Sequence, residues 1–157
     1  MSNLAQTYSL QVGVPLSEPT MQTCFYPLDH PIEKAILLHG FSADTGKNQN
    51  DRTAFAKIYD HFSEVVTLIK PALDTADYRI YQIGAPGEPQ VQGCHHLMGQ
   101  TTMHQCAYLV KNAAMFIGND SLWSHVRGAS REPMVAVYGP TSVKCHSPHW
   151  KDPNKTI

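Results

Sequence analysis

Residues 117–125 read Ile-Gly-Asn-Asp-Ser-Leu-Trp-Ser-His and contain the clearest junction of a strand and a helix in the chain. The apolar residues 115–118 have the length and character of a buried strand. The chain then takes a short polar step and enters a predicted helix over 121–130. A buried strand that leads directly into a helix is the repeating unit of folds in which helices cover a parallel sheet.

The rest of the chain repeats this alternation. Helical periodicity predicts helices over 51–62 and 103–111, and residues 64–69 can extend the first until Pro71 ends or kinks it. This order predicts an α/β fold with a single Rossmann-like doubly wound parallel sheet, which binds ligands at the carboxyl ends of its strands. Strand patterns occur in four further segments: 35–39, 78–83, 96–98 and 134–138.

The length of 157 residues fits one domain with its own core. We assign that domain to residues 34–150, where the strand and helix patterns are regular. The first 33 residues are rich in proline and resemble a linker, although residues 7–14 could form a short helix. Residues 151–157 are interpreted as a tail.

The composition excludes several classes of protein. Hydrophobic residues make up 42% of the chain, too many for a disordered protein, yet no apolar run approaches the length of a membrane span. Twelve Lys and Arg balance thirteen Asp and Glu, which argues against nucleic-acid binding. Residues 1–21 lack the pattern of an export signal, so we expect a cytoplasmic protein whose four cysteines are reduced.

The start of the helix after residue 120 is a candidate phosphate site. Asp120 or Ser121 can cap this helix, while its first main-chain N–H groups stay free to bind an anion. Helix N-termini carry a partial positive charge and bind phosphate. Ser121, Ser124 and His125 could add side-chain donors. A plain capped helix with a satisfied histidine is the alternative.

Two other loops follow strands and should reach the same edge of the sheet. Residues 84–88 read Gly-Ala-Pro-Gly-Glu, a tight turn that leaves the Glu88 carboxylate able to accept the hydroxyls of a ribose. Residues 39–42 precede Lys47 and Arg52, and a cation in that loop could neutralise a diphosphate. A solvated glutamate in a turn and a solvated lysine in a loop are the alternatives.

The order of these motifs resembles the carboxyl-terminal domain of heptosyltransferase-type enzymes, glycosyltransferase family 9, which have the GT-B fold. The resemblance covers residues 34–150, and the ordered set is far more specific than any single motif. In chain order, the matching motifs are Ser42 with Lys47, then 84–88, 101–103, 120–125 and 138–141.

The resemblance implies a nucleoside-diphosphate sugar as the donor ligand, with no cofactor and no metal. Glu88 and Thr101 would border the ribose and base, and Asp120 would lie beside the sugar. The donor diphosphate would contact Ser42, Lys47, Ser121, Leu122, Ser124 and His125.

This chain also departs from the family pattern. Leu122 replaces a glycine, the bulky Trp123 follows it, and Arg127 replaces a small residue. The amino-terminal half, which in the family binds the acceptor and supplies the general base, has no counterpart here. We therefore expect a partner protein or a second copy of the chain to supply it. The alternative is a stand-alone nucleotide-binding, sequestering or scaffold module without activity.

Two other kinds of site are not supported by the sequence. Residues 94–96 and 145–149 are rich in Cys and His, but they lack the paired spacing of a structural zinc site. Asp120, Ser121 and His125 are too close together at one helix start to form a catalytic triad, and no nucleophile elbow surrounds the serine.

Overall fold

The computed structural model describes residues 4–13, 27–28, 32–41, 57–149, 154 and 157. Within these ranges five strands form one sheet, in which every neighbouring pair is parallel. The strand order is β3-β2-β1-β4-β5. This confirms the predicted α/β fold with a single Rossmann-like parallel sheet. The strands are β1 (Ala35–His39), β2 (Arg79–Gln82), β3 (His95–His96), β4 (Met115–Asn119) and β5 (Met134–Val137).

The described helices connect and flank these strands. The helix predicted over 103–111 and the helix predicted over 121–130 are both present, with ends that differ by one residue. A short helix also lies within the predicted linker. The helices are α1 (Leu4–Val12), α2 (Phe62–Thr75), α3 (Met103–Asn112), α4 (Leu122–Ala129) and α5 (Val143–His146).

Both faces of the sheet are covered by helices. In β1 the side chains alternate, so that Leu37 packs with residues of α3 and α4 on one face. Ile36 and Leu38 pack on the opposite face against Phe62 and Val66 of α2. Two apolar clusters, one on each side of β1 and β4, therefore form the core, as a doubly wound arrangement requires.

The predicted helix over 51–62 is wrong in the part that the structure describes. Residues 57–61 form turns and irregular chain, and α2 begins only at Phe62. Residues 51–56 lie outside the described ranges. The apolar face of α2 packs on the sheet and fixes the position of the helix. This face consists of Phe62, Val66, Ile69 and Leu73. Pro71 does not end the helix, which continues to Thr75, and its ring lies on the exposed side.

Residues of the predicted linker and of the predicted tail also contact the domain. Leu28 and Ile32, in the predicted linker, pack against the cluster beneath α3. In the predicted tail, the Ile157 N–H donates to the Met134 carbonyl at 3.1 Å, and its own carbonyl accepts from the Ala136 N–H at 2.9 Å. None of the helices in the described ranges has the length and hydrophobicity that a membrane span requires.

The strand order reverses between β1 and β4. From β1 the chain moves outward through β2 to β3, and it then returns to the other side of β1 as β4. In parallel sheets a reversal of this kind leaves a crevice at the carboxyl edge. The buried Asn119 side chain links the loops after β1 and β4, since its Nδ2 donates to the Gly40 carbonyl at 2.6 Å.

Candidate functional site

A cavity of about 530 Å³ lies at this carboxyl edge, a size typical of small-molecule sites. The end of β1 and the loops after β2 and β4 each contribute a polar side chain to its lining: His39, Glu88 and Ser121. Thr101 and Cys106, which lead into and lie on α3, form part of another wall. The cavity therefore joins loops that are far apart in the sequence.

Glu88 is held in the turn that the sequence predicts. Its main-chain N–H donates to the Ala85 carbonyl at 3.3 Å, and its carboxylate lies against Gly84, which has no side chain there. The Oε2 atom is buried and has no hydrogen-bond partner within the described chain. Burial raises the pKa of Glu88 above its usual value. An acceptor in this state is suited to a ligand hydroxyl.

Two serines lie at the start of α4, Ser121 just before the helix and Ser124 in its first turn, and they have different roles. The Ser124 side chain is fully buried, and its hydroxyl donates to the Ser121 carbonyl at 2.7 Å. By contrast, the Ser121 hydroxyl faces the Ser124 N–H in a capping-box arrangement but is buried without a hydrogen bond among the described residues, and Ser121 lines the cavity. Leu122 follows Ser121, lines the same cavity and is 48% exposed. Of these two serines, Ser121 is therefore the one that can reach a ligand.

Asp120 anchors a polar cluster beside the cavity. Its carboxylate is almost fully buried, and Oδ2 accepts from Lys57 Nζ at 3.1 Å and from Thr141 Oγ1 at 2.9 Å. Lys57 remains about one-third exposed. Burial lowers the pKa of His125, and the nearby Asp120 carboxylate opposes this shift. The cluster places an ammonium group next to the loop that starts α4.

His39 is the last residue of β1 and is 6% exposed. Its imidazole lines the cavity, and its Nδ1 atom is buried without a hydrogen-bond partner within the described ranges. Burial lowers the pKa of His39 to about 4. The ring is therefore neutral at physiological pH.

The structure brings some of the predicted site residues together and separates others. The lining of the cavity includes Glu88, Thr101, Ser121 and Leu122. Asp120, Ser124 and His125 are absent from that lining. Ser42 and Lys47 lie outside the described residues, so their predicted contacts stay predictions.

Sequence reasoning missed two residues of this region. Lys57 fell inside the helix wrongly predicted over 51–62, and only the true start of α2 places it in a loop. His39 ended a predicted strand and was not assigned a role, although the last residue of a parallel strand is a usual ligand-facing position.

The Cys and His residues around β3 have other contacts. His95 packs against the ring of Tyr81 at 5.2 Å between centroids, and His96 Nδ1 lies 3.2 Å from Gln82 Oε1. Burial raises the pKa of Cys94 to about 11, which disfavours the thiolate that metals bind. Within the described chain, no three His, Cys, Asp or Glu residues are grouped so that they could hold a metal ion.

Comparison with known proteins identifies related sequences and folds. The sequence profile of glycosyltransferase family 9 (heptosyltransferase) matches residues 41–156. Over 55 residues, 35% of this chain, the sequence is 34% identical to lipooligosaccharide heptosyltransferase 2 of Haemophilus influenzae, of which it covers 16%.

Solved structures show a similar fold. An ADP-heptose lipopolysaccharide heptosyltransferase II from Escherichia coli matches 100% of this chain at 22% identity, with a TM-score of 0.54. The dodecameric iron-containing heptosyltransferase TibC of enterotoxigenic Escherichia coli, in complex with ADP-D-β-D-heptose, matches 80% at 21% identity and a TM-score of 0.56. The chain covers 44% of the first structure and 32% of the second, so it spans less than half of these relatives.

Proposed function

The chain belongs to glycosyltransferase family 9 (heptosyltransferase), and we propose that its cavity binds the nucleoside-diphosphate sugar that serves as glycosyl donor. One observation carries this proposal. Three buried polar atoms without partners in the described chain, on His39, Glu88 and Ser121, belong to side chains that line a single cavity. Buried polar groups are normally paired, so three unpaired ones around one cavity point to a polar ligand.

Each wall suits a different part of such a ligand. The Glu88 carboxylate can accept hydrogen bonds from ribose hydroxyls, and Thr101 can border the base. The Ser121 hydroxyl and the first main-chain N–H groups of α4 can donate to the diphosphate. Leu122 would lie against the same diphosphate, where its exposed side chain narrows the approach.

Lys57 supplies a positive charge that this site needs. It lies in the polar cluster of Asp120, and its partial exposure allows the ammonium group to reach an incoming phosphate. Asp120 then holds Lys57 in position, and the carboxylate would also lie beside the sugar. Ser42 and Lys47, from the loop after β1, are proposed as further contacts to the diphosphate.

In this proposal the domain supports inverting transfer by stabilising the departing diphosphate. The α4 amides, Ser121 and Lys57 would bind the negative charge that develops on the leaving group, and no metal or further cofactor is required. A partner polypeptide or a second copy of the chain would contribute the general base and the acceptor. We place this reaction in the cytoplasm.

Calorimetric titration with ADP, UDP and GDP, and with ADP-heptose, tests this proposal directly. We expect ADP and ADP-heptose to bind, because one structural relative is an ADP-heptose heptosyltransferase and another is in complex with ADP-D-β-D-heptose. Glu88→Ala and Lys57→Met should each weaken ADP binding by about 1–3 kcal/mol, as loss of a hydrogen bond to a charged group does.

Matched controls lie on α2, away from the cavity. Glu64→Ala and Lys70→Met remove similar charges from exposed or half-exposed positions and should leave the affinity unchanged. Absence of heat with every nucleotide would contradict the proposed function. Full affinity in Glu88→Ala would remove only the ribose assignment.

A further inference from the structure

His39 carries a structural cost that the fold does not explain. The residue is only 6% exposed, and Nδ1 has no hydrogen-bond partner in the described chain. A buried polar atom without a partner destabilises the folded state. An apolar residue at the end of β1 would avoid this cost. A ligand group that hydrogen-bonds to the imidazole would remove this cost.

The sheet places His39 between the two loops that bind the ligand in the proposed function. β1 lies between β2 and β4, and His39 is in register with Gly118 of β4. Glu88 follows β2 on one side, while Ser121 follows β4 on the other. All three line the same cavity. The strand order therefore places His39 between the residues that would hold the two ends of such a ligand.

We propose that His39 donates a hydrogen bond to the α-phosphate of the bound nucleotide. This inference rests on the proposed function, in which Glu88 binds the ribose and Ser121 the diphosphate. The α-phosphate is the group that joins the ribose to the rest of the diphosphate, and His39 has the corresponding middle position. His39 is then a specificity residue, which recognises a phosphorylated ribose.

The neutral state of the ring fits this role. Because burial lowers the pKa of His39 to about 4, the imidazole has one N–H donor and one acceptor nitrogen at pH 7. The N–H can donate to a phosphate oxygen. The ring thus contributes a directional hydrogen bond to the phosphate, while Lys57 and the start of α4 provide the positive charge.

A set of ligands that differ by one phosphate each separates this role from a general effect. Adenosine, AMP and ADP are titrated into the full chain, His39→Leu and His39→Gln, and the affinities are measured by NMR chemical shifts. For His39→Leu, we expect the affinities for AMP and ADP to fall about tenfold while that for adenosine stays within about twofold. His39→Gln keeps a side-chain N–H donor and should recover part of the loss. The control His95→Leu, on the exposed side of β3, should bind all three ligands normally.

Protein stability distinguishes this role from a structural one. If the imidazole stabilised the fold, His39→Leu would lower the melting temperature. Removing an unpaired buried nitrogen should leave the melting temperature of His39→Leu unchanged or raise it. If His39→Leu does not fold, the ring nitrogens of the unmodified chain decide, because their ¹⁵N shifts should change with AMP and not with adenosine.

Several results would overturn the inference. Equal losses for adenosine, AMP and ADP would show that His39 shapes the cavity, and unchanged affinities would show that it is not used. Ring nitrogens that do not respond to AMP would have the same meaning. Failure of the unmodified chain to bind any of the three ligands would instead refute the proposed function itself.

Discussion

At the residue scale, Arg127 has a structural role in joining α3 to the segments before β4 and β5. The guanidinium is fully buried and makes five hydrogen bonds to main-chain carbonyls. Two acceptors are in the last turns of α3, at Val110 and Lys111, where a cation is favoured by the helix dipole. The others are Ala113, Ala114 and Pro133, in the segments that lead into β4 and β5.

We expect Arg127→Met to lower the free energy of unfolding by about 3 kcal/mol or more, because it leaves several buried carbonyls without donors. Burial lowers the pKa of Arg127 to about 10, so the side chain is charged at pH 7 and its bonds are charge-assisted. Urea unfolding followed by circular dichroism measures the change. The same replacement at the exposed Arg79 should have little effect. Equal stability of the two variants would contradict the role given to Arg127.

At the scale of elements, the sequence predicts the ends of strands and helices well where capping residues or turn residues mark them. The ends of α3 agree within one residue because Thr102 and Gln105 form a capping box at its start. The start of α2 was missed because it has no side-chain cap. Phe55, Ile58, Tyr59 and Phe62 also show helical spacing, so periodicity could not distinguish this stripe from the stripe of α2.

The turn after β2 contains two glycines that are needed for different reasons. Replacing each by alanine should therefore have a different effect. A Cβ at Gly84 would overlap the Glu88 carboxylate, whereas Gly87 has open space around it but a φ of +82°. Gly84→Ala should therefore displace Glu88 and weaken ADP binding with little change in stability. Gly87→Ala should lower stability by about 1–2 kcal/mol because of backbone strain.

Thermal unfolding and calorimetric titration of both variants check this expectation. If Gly84→Ala bound ADP as tightly as the unmodified chain, the position of the Glu88 carboxylate against Gly84 would not matter for the ligand.

At the scale of the whole molecule, the parallel sheet brings together site residues that the sequence predicts and others that it does not. Glu88 and Ser121 were found because a glycine-rich turn and a helix start have their own sequence signals. Lys57 has no such signal, and His39 has only its place at the end of a predicted strand. Their position becomes meaningful only once the strand order places β1 between β2 and β4. Long-range juxtaposition of this kind cannot be read from local spacing.

The whole molecule also leads to an expectation about activity. Glu88 is the only carboxylate among the described residues that line the cavity, and the proposed function assigns it to the ribose. No cavity carboxylate in the described chain is then left to deprotonate an acceptor, and the chain spans less than half of its heptosyltransferase relatives. We therefore expect the purified 157-residue chain to bind ADP-heptose without transferring heptose.

The measurement is a coupled assay of ADP release with ADP-heptose and a lipopolysaccharide-type acceptor, run alongside calorimetric binding on the same sample. Binding without release above the uncatalysed rate is the expected result, because donor binding stabilises only the leaving group and proton removal from the acceptor still requires a base. Varying the protein concentration adds a second test. If two copies complete one site, ADP release should rise more steeply than linearly with concentration, whereas steady turnover proportional to concentration in a monomeric sample would refute the half-site expectation.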